Sequence, residues 1–156
     1  MSAMPPPELK MTRDPNDVHV WELPTFGRVR LPRKPWGEVL VSVPGRPEWT
    51  VSKAERHTYQ AVENGAVVAT ADHYAQSIVS GAREWIIPKT PMRIFKGLGP
   101  WIVLEQGREI ITFARREWGW RPPGVAIIDE AAARADPRLT LLAAWTANRL
   151  SISVVI

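Results

Sequence analysis

The sequence has no cysteine in its 156 residues. A disulfide framework, a thiolate zinc site and a cysteine nucleophile are therefore excluded. The N-terminal residues contain no apolar segment of the kind that forms a secretory signal. These absences predict a cytoplasmic protein, or a virion protein if the chain belongs to a phage or another mobile element.

Long apolar runs are absent as well. No segment approaches the ~20 residues needed to cross a bilayer, so a membrane partner is not predicted. Hydrophobic residues make up 45% of the chain and charged residues 23%, which is typical of a globular domain. At this length the chain is expected to form one domain with one core.

The net charge of +4 comes from 20 basic and 16 acidic residues. The excess is distributed along the chain and forms no long basic block, so charge alone does not establish a nucleic-acid-binding protein. Pro5, Pro6, Pro7 and Pro15 fix the backbone near the N-terminus. Residues 1–16 are therefore predicted to be a flexible arm, and residues 17–156 a single α+β domain.

Strand patterns dominate the first half of that domain. Residues 17–22, 26–31 and 36–43 alternate or run apolar between prolines, and they are predicted strands. Asn64-Gly65 favours a type I′ turn and predicts a hairpin with strands 57–63 and 66–70. An alternative is a helix over 52–63 that begins at Ser52. A second hairpin is predicted around Gln106-Gly107.

Helical spacing appears in two places. Tyr74, Ile78 and Val79 predict a short middle helix over 72–83. Residues 129–150 predict a longer helix, divided at Pro137, and residues 151–156 a final strand. The predicted fold is α+β: antiparallel hairpins form a sheet, with one short middle helix and a longer C-terminal helix packed on it.

Asp129 and Glu130 directly follow an apolar run. An acidic pair in this position also occurs at the metal-binding site of Walker-type ATPases. Such an enzyme needs a glycine-rich loop with Lys-Ser or Lys-Thr for the phosphates, and the chain has none. Asp129 is instead predicted to cap the helix that follows it, with Glu130 complementing the helix dipole. No cofactor is predicted.

His19, His57 and His73 are the only histidines. None forms a tight pair of metal-ligand spacing, so no metal site is predicted. His57 and His73 would approach each other across the predicted hairpin. Together with Glu109 they are the catalytic residues of one alternative, a small ribonuclease-like hydrolase that works by general acid–base catalysis.

Interleaved basic and aromatic residues are the strongest functional pattern. Arginine and tryptophan suit both protein contacts and the stacking of nucleic-acid bases. The candidate binding surface consists of Arg28, Arg30, Arg115, Arg116, Trp118, Trp120 and Arg121. Most of the eight tryptophans are expected in the core, with one or two at a contact surface.

These observations predict a non-catalytic protein-binding or assembly protein, with another protein as its expected partner. A basic nucleic-acid-binding module is the second hypothesis, and the hydrolase is the third. The oligomeric state is open.

Overall fold

The computed structural model describes residues 8–34, 37–88, 101–114 and 122–155, without the side chains of residue 8 and residues 151–155. This part of the chain contains thirteen strands and two helices. The strands are β1 Glu8–Lys10, β2 Thr12–Asp14, β3 Asp17–Leu23, β4 Gly27–Arg30, β5 Val39–Ser42, β6 Trp49–Lys53, β7 Thr58–Glu63, β8 Ala66–Asp72, β9 Ser77–Ser80, β10 Arg83–Ile86, β11 Trp101–Glu105, β12 Arg108–Ala114 and β13 Gly124–Ile127. The helices are α1 Glu130–Ala135 and α2 Pro137–Val155.

All thirteen strands belong to one antiparallel sheet, in which β2 to β13 follow one another in chain order. The N-terminal strands bring its two edges together. β1 pairs with β13, β2 pairs with β3, and only Met11 separates β1 from β2. The sheet is therefore a near-barrel. Residues 8–14, placed in the flexible arm by the sequence analysis, supply this closure, and residues 1–7 lie outside the described ranges.

The longer helix lies inside the curved sheet. Every residue from Leu139 to Asn148 is buried, so the helix has packing partners on all sides. It packs closely on β4 and β5, and its Trp145 ring contacts Tyr59 of β7. The predicted fold class is therefore wrong: the sheet is large and nearly closed, and the helix fills it instead of covering one face.

Small residues make room for the enclosed helix. Ala143, Ala144 and Ala147 of α2 are fully buried or nearly so. On the sheet, a Cβ atom at Gly27 would lie 2.3 Å from the carbonyl oxygen of Ser42 and 3.0 Å from Cδ1 of Leu141. Backbone and helix can approach this closely only because position 27 has no side chain.

The meander gives the sheet two different ends. At one end, which we call the α1 end, lie α1, the start of α2 and the connections 24–26, 43–48, 64–65, 81–82 and 106–107. At the opposite end, which we call the loop end, lie the connections 15–16, 54–57 and 73–76, and the strands that flank residues 31–38, 87–100 and 115–123 end and begin there. α2 runs from the α1 end toward the loop end.

Both predicted hairpins are confirmed. Asn64 and Gly65 have φ angles of 49° and 83°, and Gln106 and Gly107 have 51° and 78°. Two consecutive positive φ values are the signature of the type I′ turn, whose twist matches that of paired strands. The alternative helix over 52–63 is therefore wrong, since β6 and β7 occupy most of this range.

The predicted middle helix over 72–83 is wrong. Asp72 ends β8, and its Oδ1 accepts hydrogen bonds of 2.9 Å from the backbone N–H groups of both Tyr74 and Ala75. This Asx turn reverses the chain into β9. Along β9, Ile78 is buried and Val79 is exposed, which is the alternation of a strand.

The C-terminal prediction is partly confirmed. Pro137 starts α2 and Asp136 before it is extended, as expected for a residue that precedes proline, so the helix is divided there. Asp129 caps α1 by accepting a 3.1 Å bond from Ala132 N. The final strand over 151–156 is wrong, because α2 continues to Val155.

Candidate binding surface at the loop end

Arginine side chains at the α1 end connect helix α1 to the sheet. Arg83 pairs with Glu105 at 2.8 Å and donates a 2.9 Å bond to the carbonyl of Ala132 in α1. The hydrogen bonds from Arg83 hold the pKa of the Glu105 carboxyl below its usual range. Arg46 lies 3.6 Å from Asp136. These charges therefore stabilise the position of α1.

Three more arginines at the same end form ion pairs or hydrogen bonds with other residues of the protein. Arg108 pairs with Asp129 at 3.4 Å, and Arg134 bonds to Thr25 while its guanidinium lies 4.3 Å from the centre of the Phe26 ring. The third, Arg138, is nearly buried. The arginines of the α1 end thus form ion pairs within the protein, and these contacts stabilise the fold.

Arg138 is 9% exposed and has partners on three elements. Its guanidinium donates to Asp136 at 3.0 and 3.1 Å and to the carbonyl of Pro47 at 3.0 Å. It also pairs with Glu63 and lies 4.7 Å from the Trp49 ring centre. Burial alone would lower the pKa of Arg138, but the hydrogen bonds and charges of its acidic partners raise it overall.

The loop end presents an aromatic pair. The backbone N–H of His73 donates a 2.7 Å bond to the carbonyl of His57, which joins the β8–β9 turn to the β6–β7 bend. The rings of His57 and Tyr74 are 5.8 Å apart and inclined by 32°. Tyr74 is 71% exposed, the largest exposure of any large hydrophobic residue in the described ranges. The turn therefore holds an aromatic ring out into solvent.

A second set of aromatic rings, less exposed than this pair, packs against the same turn. His73 stacks on Tyr59 with 4.5 Å between ring centres, and Tyr59 meets Trp145 edge-on at 5.1 Å. The Tyr59 hydroxyl accepts a 3.1 Å bond from Arg149 of α2. The surface turn is thereby connected to the enclosed helix.

His73 is neutral at pH 7. Burial, followed by the charges of Arg149 and His57, lowers its pKa to about 4, although Asp72 opposes this shift. The Nε2 atom is buried, and no hydrogen-bond partner for it occurs among the described residues. A proton on this ring would therefore be placed in apolar surroundings beside Arg149.

The shifted pKa predicts a pH dependence of stability. An unfolded chain protonates His73 near the ordinary histidine pKa of 6.5, but the folded protein does so only near 4. The stability that depends on neutral His73 is thus complete above pH 6.5 and is lost as the pH falls toward 4, by up to about 3 kcal/mol. Urea unfolding of wild type and His73→Phe between pH 7.5 and 5 measures this. Equal pH slopes in the two proteins would contradict it.

The two ends differ in charge. The connections at the α1 end, with α1 and the start of α2, carry three basic and four acidic residues: Arg46, Arg134, Arg138, Glu48, Asp129, Glu130 and Asp136. Among the described residues, the connections that join strands at the loop end carry three basic and two acidic residues: Arg33, Lys34, Arg56, Glu38 and Glu55. The described part of the loop end is therefore slightly basic.

Only part of the predicted binding surface lies in the described ranges. Arg28 and Arg30 do share the outer face of β4, but each has an acidic partner: Glu22 lies 3.3 Å from Arg28, and Asp17 lies 3.2 Å from Arg30. The hydrogen bond from the His19 backbone, followed by Arg30, lowers the pKa of Asp17. Arg115, Arg116, Trp118, Trp120 and Arg121 lie outside the described residues. Their strand of origin, β12, ends at the loop end, as does β4.

The residues of the hydrolase hypothesis are divided. His57 and His73 meet at the loop end, as the hairpin predicted. Glu109 follows the Gln106-Gly107 turn at the α1 end, so it does not join them. With its third group at the other end of the sheet, this set does not assemble into an acid–base site.

The sequence alone did not predict that four residues form one cluster: Tyr59, Tyr74, Trp145 and Arg149. Tyr74 was assigned to a helix, which concealed its exposed position in a turn. The available signal was Asp72, because aspartate followed by polar and small residues commonly forms an Asx turn. For Trp145 and Arg149 no local signal existed, since only the enclosure of α2 brings them to the loop end.

The chain matches no protein-family model, no curated protein sequence and no solved structure. Over the ranges that the structure describes, neither helix is long and apolar enough to span a membrane.

Proposed function

We propose that the protein is a non-catalytic binding protein of a larger assembly, and that the loop end is the surface that contacts an anionic partner. The observation that carries this proposal is that the basic residues Arg33, Lys34 and Arg56 lie exposed in the loop-end connections. Two basic sequence stretches that are far apart along the chain leave the sheet from strands ending at this same end. Patches of one charge attract and orient partners of the opposite charge.

The way the sheet is filled supports a binding role. Helix α2 and large buried side chains such as Trp21, Trp49 and Trp85 occupy its interior. A substrate would need a concave site with convergent polar groups. The α1-end arginines already have protein partners, so they contribute to stability and not to recognition.

Retention on immobilised heparin tests the proposal, because heparin offers dense negative charge without bases or peptide. The variant Arg33→Gln/Lys34→Gln removes two positive charges at the loop end, where both side chains are exposed. We expect it to elute at clearly lower salt than wild type, since retention depends on charge contacts that salt screens.

The matched control is Ala66→Glu/Ala82→Glu. It changes the net charge by the same amount, but at exposed positions next to turns of the α1 end. We expect it to elute near wild type. Equal losses in both variants would show that net charge alone governs retention, and this would overturn the assignment of the loop end.

A further inference from the structure

We propose that the His57–Tyr74 pair is a base-stacking platform for single-stranded nucleic acid. The inference rests on the proposed function, because it identifies the anionic partner of the loop end. The platform consists of the β6–β7 bend at 54–57 and the β8–β9 turn at 73–76. Its surface rings are His57 and Tyr74, and the exposed cations of the bend and of the strand before it are Arg56 and Lys53.

The turn that carries the exposed Tyr74 ring is held in place by hydrogen bonds. Asp72 fixes the turn through its bonds to the N–H groups of Tyr74 and Ala75, and the His73–His57 backbone bond joins the turn to the bend. A large side chain at 71% exposure leaves apolar area in water that burial would otherwise remove. The backbone that presents the Tyr74 ring is therefore already ordered before a partner binds, so the turn itself has little conformational freedom left to lose.

A layer of packed side chains lies beneath the platform. Tyr59, His73 and Trp145 pack against one another, and Arg149 donates to the Tyr59 hydroxyl. These contacts anchor the turn to α2. The basic residues in and next to the platform are Lys53, Arg56 and Arg149, and the acidic residues are Glu55 and Asp72.

A single strand differs from other anions because its bases are open to stacking. Aromatic faces stack on unpaired bases while nearby basic side chains contact phosphates, and this combination binds single strands with little sequence preference. A duplex hides its base faces, and direct reading of its major groove requires a helix or β-ribbon that fits the groove. Insertion into a lipid surface usually relies on a broad apolar face, whereas this platform has two polar aromatic rings beside charged residues.

The test is fluorescence anisotropy with a labelled oligothymidylate of about 15 nucleotides. We expect it to bind more tightly than a duplex of the same length, polyglutamate or vesicles containing phosphatidylserine. Tyr74→Ala should weaken oligothymidylate binding about tenfold, whereas Tyr74→Trp should preserve it. Arg56→Ala should reduce the slope of log affinity against log salt by about one.

Val67→Ala is the matched control, because Val67 is 53% exposed but lies beside the Asn64-Gly65 turn at the α1 end. Circular dichroism of each variant verifies folding. Unchanged oligothymidylate binding in Tyr74→Ala, or a preference for the duplex, polyglutamate or vesicles, would overturn the inference. Loop-end-dependent heparin retention in that case would leave the proposed function standing, whereas failure to bind either heparin or oligothymidylate would remove both.

Discussion

An aspartate introduced at any of four consecutive positions of α2, residues 143 to 146, is expected to abolish folding. Each residue of an α-helix is rotated by about 100° from the last, so four consecutive positions sample the whole circumference. All four are buried, since α2 lies inside the sheet. An unpaired buried charge costs several kcal/mol, which is comparable with the roughly 5–15 kcal/mol that stabilises a typical domain.

The measurement is the soluble yield and near-ultraviolet circular dichroism of the four variants. A helix packed on an outer sheet face would tolerate the charge on its solvent side, so at least one variant would fold normally. That outcome would contradict the enclosed position of α2. Ala131→Asp is the control, because Ala131 is exposed in α1 and the change there should leave the fold intact.

Replacement of Arg138 by methionine should destabilise the protein by about 3–5 kcal/mol, the cost typical of removing one partner from a buried ion pair. Methionine keeps much of the apolar stem. It loses the bonds to Asp136 and to the Pro47 carbonyl and the contact with the Trp49 ring. The half-buried carboxylate of Glu63 would also lose its cation.

The corresponding control is Arg28→Met. Arg28 forms an exposed ion pair with Glu22, and such pairs contribute about 0–1 kcal/mol. Urea unfolding at pH 7 gives both free energies. A loss at Arg138 no larger than that at Arg28 would show that the network around Arg138 does not hold the α1 end to β6 and β7.

Local chemistry explains which parts of the fold the sequence predicts. The turns at Asn64-Gly65 and Gln106-Gly107, the cap at Asp129 and the break at Pro137 each depend on one to four neighbouring residues. The prediction of a middle helix was wrong because it also used only a short window of neighbouring residues. Apolar residues in a short window can satisfy helical spacing, while the competing signal at Asp72 acts through backbone N–H groups that a periodicity count does not include.

Enclosure of the C-terminal helix was not predictable in this way. The buried run from Leu139 to Asn148 contains Thr140, Thr146 and Asn148, so it does not read as uniformly apolar. Thr140 is accommodated because its hydroxyl donates to the carbonyl of Ala133 at 2.6 Å. Sheet size was underestimated too, because β6, β9 and β10 are only four or five residues long.

The candidate site also combines a feature that neighbouring residues predict with one that depends on the whole sheet. The approach of His57 and His73 follows from one hairpin, and the sequence analysis anticipated it. Their separation from Glu109 depends on which end of the sheet each strand begins at. That information requires the complete strand order, which no single motif contains.

The closure of β1 against β13 and β2 against β3 has a consequence for how the chain reaches its fold. β1 and β13 are joined in space but are more than a hundred residues apart in sequence. Contacts of such long range slow folding, because the entropy of closing the loop is lost before the contacts form. The segment that fills the interior, α2, is also the last of the described elements to be synthesised. During translation the strands therefore emerge before the helix on which their buried side chains pack. Stable folding is expected only after α2 has left the ribosome.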